Sequence, residues 1–75
     1  MRVRIMTSKI RVIVNGMTED VPEGSTVLSL IKHFNELDKS LIVEHNNRFV
    51  YPKHYGDTEI SENDKLEFIN PNVGG

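Results

Sequence analysis

The residues with the plainest chemical potential are the last two, Gly74 and Gly75. A terminal carboxyl group has a reference pKa of about 3.3–3.7, so that of Gly75 is ionised at neutral pH. Its charge is delocalised and oxide is not a leaving group, so it is a poor acyl electrophile until phosphoryl chemistry activates it. Glycine suits a chain end that must reach such chemistry in a partner. Without Cβ, the backbone can thread between close walls, and Val73 and Gly74 would lie in that channel behind Gly75. A free end also gives up about 1–2 kcal/mol of conformational entropy per residue when it is ordered, so it can enter and leave more than one partner.

The other side chains compete poorly for a catalytic role. There is no cysteine, which removes thiolate nucleophiles, disulfides and cysteine metal sites. His33, His45 and His54 share no metal-ligand spacing and read as surface residues. No Ser-His-Asp set is arguable. Gly16, Gly24 and Gly56 stand alone, so there is no phosphate-cradling loop. Glu44 and Glu67 have no partner identifiable by spacing. Nine basic against eleven acidic residues give a net charge of −2, which argues against a nucleic-acid binder. Arg2, Arg4, Lys9 and Arg11 make only the start locally basic. Met1 to Met6 has no continuous apolar run, and no stretch reaches the roughly 20 apolar residues of a membrane span, so a cytoplasmic protein is expected.

Seventy-five residues make one domain with a small core. Ile10, Val12 and Val14 alternate as the buried face of a strand, and Asn15-Gly16 after them is a hairpin signal. Met17 to Val21 returns, and Pro22-Glu23-Gly24 stops it. Ser25 or Thr26 can cap a helix. Val27, Leu30, Ile31, Phe34 and Leu37 then form an apolar stripe of about three turns, ending near Asp38-Lys39-Ser40. Leu41-Ile42-Val43 and Phe49-Val50-Tyr51 flank Asn46-Asn47 as a second hairpin or tight loop. Tyr51 and Tyr55 are expected to close the core edge. Ser61 to Asp64 is a tight turn, and Leu66 to Ile69 is the last strand. One helix over a mixed sheet of four or five strands is an α+β arrangement, and the order matches the β-grasp, with first and last strands as parallel neighbours in the centre. Residues 1–8 are read as an extension or the start of strand one, and 70–75 as a flexible tail.

Several of these pieces together resemble the ThiS family, the ubiquitin-like sulfur carriers of thiamine biosynthesis. They are Val14-Asn15-Gly16, Gly24-Ser25-Thr26-Val27-Leu28, Ile42-Val43-Glu44-His45-Asn46, Asp64-Lys65-Leu66-Glu67-Phe68-Ile69 and Val73-Gly74-Gly75, with Tyr55, Thr58 and Ile60 between them. The resemblance runs from Lys9 onward. The small subunit of molybdopterin synthase is close, and Pro71 in the tail is reminiscent of it, whereas the compact stretch from Val43 to Ile69 favours the thiamine carrier. Asn46-Asn47 stands where these carriers often have Asn-Gly. The resemblance implies a co-substrate rather than an enzyme, with no bound cofactor. ATP, consumed by a ubiquitin-activating-like adenylyltransferase (ThiF type), would adenylate Gly75. Sulfur from a cysteine desulfurase would give a thiocarboxylate, and a thiazole synthase (ThiG type) would accept it. Ile13, Phe49 and Ile69, pointing away from the helix, are candidates for a docking patch on a protein that is otherwise a monomer. A ubiquitin-like protein modifier and an inert β-grasp interaction module are the readings from other classes.

Overall fold

The computed structural model describes residues 8–71, and its elements follow from a few local signals. They are β1 (Lys9–Val14), β2 (Met17–Pro22), α1 (Val27–His33), β3 (Ile42–His45), β4 (Arg48–Val50), a one-turn 3-10 helix (Pro52–His54) and β5 (Lys65–Ile69). Asn15 and Gly16 have φ of 49° and 83°, and Asn46 and Asn47 have 51° and 69°. Both pairs thus make the doubly left-handed turn whose twist suits a two-residue hairpin, the second without any glycine.

The sheet order is β2-β1-β5-β3-β4. β1 and β5 are parallel, with Val14 level with Leu66, and the outer pairs are antiparallel. This is the α+β β-grasp arrangement, with the first and last strands central. Val12, Val14, Val21, Val43, Val50, Leu66 and Phe68 face inward and, with Val27, Leu30 and Ile60, form the core.

The helix is shorter than its apolar stripe predicts. It has seven residues, and Thr26 rather than Ser25 caps it. Thr26 Oγ1 accepts from the Ser29 N–H at 3.1 Å, and Ser29 Oγ accepts from the Thr26 N–H at 2.9 Å. The two remaining first-turn amides, Val27 and Leu28, donate to the carbonyls of Thr58 and Tyr55. The segment after the 3-10 helix therefore completes the helix start, satisfying donors the helix itself leaves unpaired. Ser25 is buried and donates its hydroxyl to the Pro22 carbonyl at 2.6 Å.

The helix stops at Asn35, which takes a left-handed φ of 59°. The Asn35 N–H donates to the Lys32 carbonyl and the Glu36 N–H to the Ile31 carbonyl. This is the Schellman ending, with asparagine in the place usually held by glycine. Phe34 is consequently the cap and half-buried, and Leu37 is 74% exposed instead of continuing the stripe.

Candidate functional site

β5 is the element that carries the C-terminal segment, and it is held on both sides. Each hairpin turn sends its first asparagine to it. Asn15 Oδ1 accepts from the Phe68 N–H at 2.7 Å and Asn15 Nδ2 donates to the Phe68 carbonyl at 3.3 Å, so a side-chain amide prolongs the ladder where β1 has ended. At the other end of β5, Asn46 Oδ1 accepts from the Lys65 N–H at 2.9 Å and Asn46 Nδ2 donates to Asp64 at 3.1 Å. The last pair of the sheet is Ile42 with Ile69. Beyond it Asn70 Nδ2 donates to Glu36 Oε1 at 3.2 Å, and Pro71, having no N–H, cannot extend the ladder. The chain is therefore directed out of the sheet at a defined point, bordered by the Asn15 turn, Ile42 and the loop after α1. Val73, Gly74 and Gly75 lie outside the described residues.

The three candidate docking residues do share the sheet face opposite the helix, with exposures of 37% for Ile13, 50% for Phe49 and 38% for Ile69. They are not one patch. Ile13 is level with Lys65, four residues before Ile69 on β5, or about 13 Å at strand rise. Phe49 is level with Glu44, and Glu44 with Glu67, so two carboxylates separate it from the sheet centre. The contiguous apolar surface lies at the exit end instead. Ile69 pairs with Ile42, and extending the β3–β4 register by one residue sets Tyr51 beside Ile42. Tyr51 meets Phe49 edge to face with ring centroids 4.8 Å apart.

Tyr51 thus corrects the sequence expectation: it is 60% exposed on the open face and does not close the core. Tyr55 does pack against the core, and burial raises its pKa. Ile42 was missed because a short β-branched run carries no sign of which residue faces out.

His45 also departs from its surface reading. Its Nε2 donates to Asp64 Oδ2 at 2.7 Å, with side chains only 20% and 15% exposed. The Ser61 N–H donates to the same carboxylate oxygen at 2.8 Å. Burial works to raise the Asp64 pKa, but the hydrogen bonds from His45, Ser61 and Asn46 and the charge of His45 together hold it below its usual value. The cluster ties the β3–β4 turn to the start of β5 and so fixes the register at which β5 leaves. No group of three or more His, Asp or Glu positioned to hold a metal occurs among the described residues. No helix among them is long and apolar enough to cross a membrane.

Residues 3–75 match the protein-family model of the ThiS family. The match begins inside the segment read as an extension. Among solved structures, the chain is similar to the crystal structure of the thiamine biosynthesis protein ThiS from Geobacter metallireducens. The two are 23% identical, with a TM-score of 0.74, over 88% of this chain and 100% of that one. Comparison with curated protein sequences finds no match.

Proposed function

The chain belongs to the ThiS family of small sulfur carriers, and on that premise we propose that it carries sulfur as a thiocarboxylate on Gly75 for thiazole formation in thiamine biosynthesis. The observation that carries this reading is the exit of β5. A central strand clamped by two asparagines delivers the chain beside an apolar surface and toward the Val73-Gly74-Gly75 sequence.

The chemistry is a two-step exchange at the Gly75 carboxyl carbon. A partner adenylyltransferase brings ATP, and a carboxylate oxygen attacks the α-phosphorus, releasing pyrophosphate and forming an acyl adenylate. A sulfur nucleophile derived from a cysteine persulfide then adds to the acyl carbon, and AMP leaves with the original oxygen. This forms an acyl disulfide to the donor cysteine. A thiol of the partner enzyme attacks that cysteine's sulfur, takes it as a disulfide and releases the thiocarboxylate, which a thiazole synthase consumes. Only the carboxylate comes from this protein, which acts as a co-substrate. Its folded part supplies recognition. The row Tyr51–Ile42–Ile69 with Phe49 offers apolar area next to the exit, and Glu44 and Glu67 favour a partner that brings basic side chains to the same face.

Intact-mass measurement tests the proposal. The protein incubated with its activating enzyme, ATP and a sulfur source should gain the mass of one oxygen replaced by sulfur, and deletion of Gly75 should abolish the gain without moving thermal unfolding. Ladders of protein adducts would assign it to modification instead, and a tagged, unprocessed C-terminus that still sustains thiamine synthesis would refute the mechanism. The molybdopterin pathway is separated by which acceptor enzyme removes the sulfur.

A further inference from the structure

The two edges of the sheet differ in charge and in what their open backbone offers. β2 forms one edge and bears Glu19 and Asp20, with Pro22 at its end and Glu23 beyond. β4 forms the other. From His45 to Gly56 the chain contains Arg48 and Lys53 and no acidic residue, while His45 is bound to Asp64 and His54 lies 3.8 Å from Asp57. Arg48 has no ion-pair partner among the described residues.

The hairpin register fixes which backbone groups are open. His45 and Arg48 close the two-residue turn, and Val43 pairs with Val50 one repeat further on. In an antiparallel ladder the residue between two hydrogen-bonded pairs points its N–H and C=O away from its partner strand. That residue on β4 is Phe49, and the same alternation directs the Tyr51 N–H outward. The Tyr51 carbonyl is occupied by the His54 N–H at 2.8 Å, and Pro52 ends the run. The edge is thus open over one short register.

Side chains divide around that register. A cleft of ≈ 230 Å³ runs along it, lined by His45, Arg48, Phe49, Tyr51, His54 and Thr58 among others. Arg48 shares the helix-side face with His45, and His54 and Thr58 come from the adjoining segment, whereas Phe49 and Tyr51 face the open side. An added strand alternates its side chains between the same two sides. We propose that the β4 edge is a docking edge for an extended segment of a partner protein in which acidic residues alternate with apolar ones. The acidic residues meet Arg48, with His54, itself 3.8 Å from Asp57, lining the same cleft; the apolar residues meet Phe49 and Tyr51, and the backbone pairs with Phe49. The same segment is repelled by β2, so charge selects the edge. This interaction goes beyond the sulfur-carrier reading and needs no chemistry at Gly75.

The full chain, mixed with a short synthetic peptide alternating glutamate and valine, should show slowed amide exchange at Phe49 and Tyr51 and none at Thr18 or Asp20. Replacing each glutamate by lysine should abolish the protection, and Arg48→Glu should weaken binding about tenfold, with loss also on raising salt. Arg48 is exposed, so its variant should keep the parent unfolding temperature, and the lysine peptide tests the charge without any mutation. Protection at the β2 edge, or equal binding of both peptides, overturns the proposal. So does protection of Phe49 that appears with protein concentration alone, which would assign the edge to a second copy. Chemical-shift changes at Arg48 and His54 that inorganic phosphate reproduces, without amide protection, overturn it in favour of a small-anion cleft.

Discussion

The two hairpins use the same turn geometry and reach it by different means. In the first, six-residue strands pair over their whole length, and Asn15-Gly16 supplies a residue that accepts positive φ at each turn position. In the second, strands of four and three residues are joined by two asparagines, a less comfortable pair, and the turn is held from outside by Asp64. The first hairpin's turn angles are specified by its own sequence, although Asn15 also bonds Phe68 on β5. The second depends on residues about twenty positions away, which makes it the region whose order is most open to conditions.

That contrast can be broken at several strengths. Leu66 is fully buried on β5, the strand both hairpins share, so Leu66→Ala should cost about 2–5 kcal/mol and unfold both together. A denaturant melt in which one hairpin outlasts the other would show that β5 does not couple them. Asp64→Ala should cost about 1–3 kcal/mol by stripping three donors of their acceptor. Amide exchange should then quicken in β3 and β4 well before β1 and β2, and uniform quickening would contradict the asymmetry.

Acid should reproduce that pattern. The Asp64 carboxyl ionises more readily in the fold than in the unfolded chain. Its contribution is therefore present above the ordinary carboxylate pKa of about 4 and is lost as pH falls through the lower folded value. Unfolding temperature should decline with acid more steeply for the parent than for Asp64→Asn, and equal slopes would remove Asp64 from the account. Phe34→Ala should cost less than the about 3–5 kcal/mol of a fully buried phenylalanine, because the ring is only half-buried at the helix cap. The smallest effect belongs to Asn47→Gly, which should relieve the φ of 69° and stabilise by less than about 1 kcal/mol, since glycine also loosens the unfolded chain. A loss of stability there would mean that the Asn47 side chain does work the turn geometry does not require.

Much of this molecule was legible in order along the chain. The alternation of Ile10, Val12 and Val14, the Asn15-Gly16 turn, the proline stop at Pro22 and the sequence of strands around one helix are all local patterns, and each appears where those patterns put it. The helix end was not legible, because Asn35 is a weak stop signal and Leu37 happens to sit at the right spacing to prolong the stripe. At the candidate site, the exposure of Ile13, Phe49 and Ile69 follows from alternation within single strands. Their separation does not, since which residues adjoin across β1, β5, β3 and β4 depends on inter-strand register.

The sequence by itself determined the turns and the faces of the individual strands. Tertiary structure decided the rest: that His45 is half-buried against Asp64, that Tyr51 and Ile42 rather than Ile13 flank the exit, and that the β4 edge carries Arg48, unpaired among the described residues, while the β2 edge carries Glu19 and Asp20. The reason is range. Hydrophobic period and turn chemistry act over a few residues, whereas register and edge position are fixed only when strands distant in the chain meet.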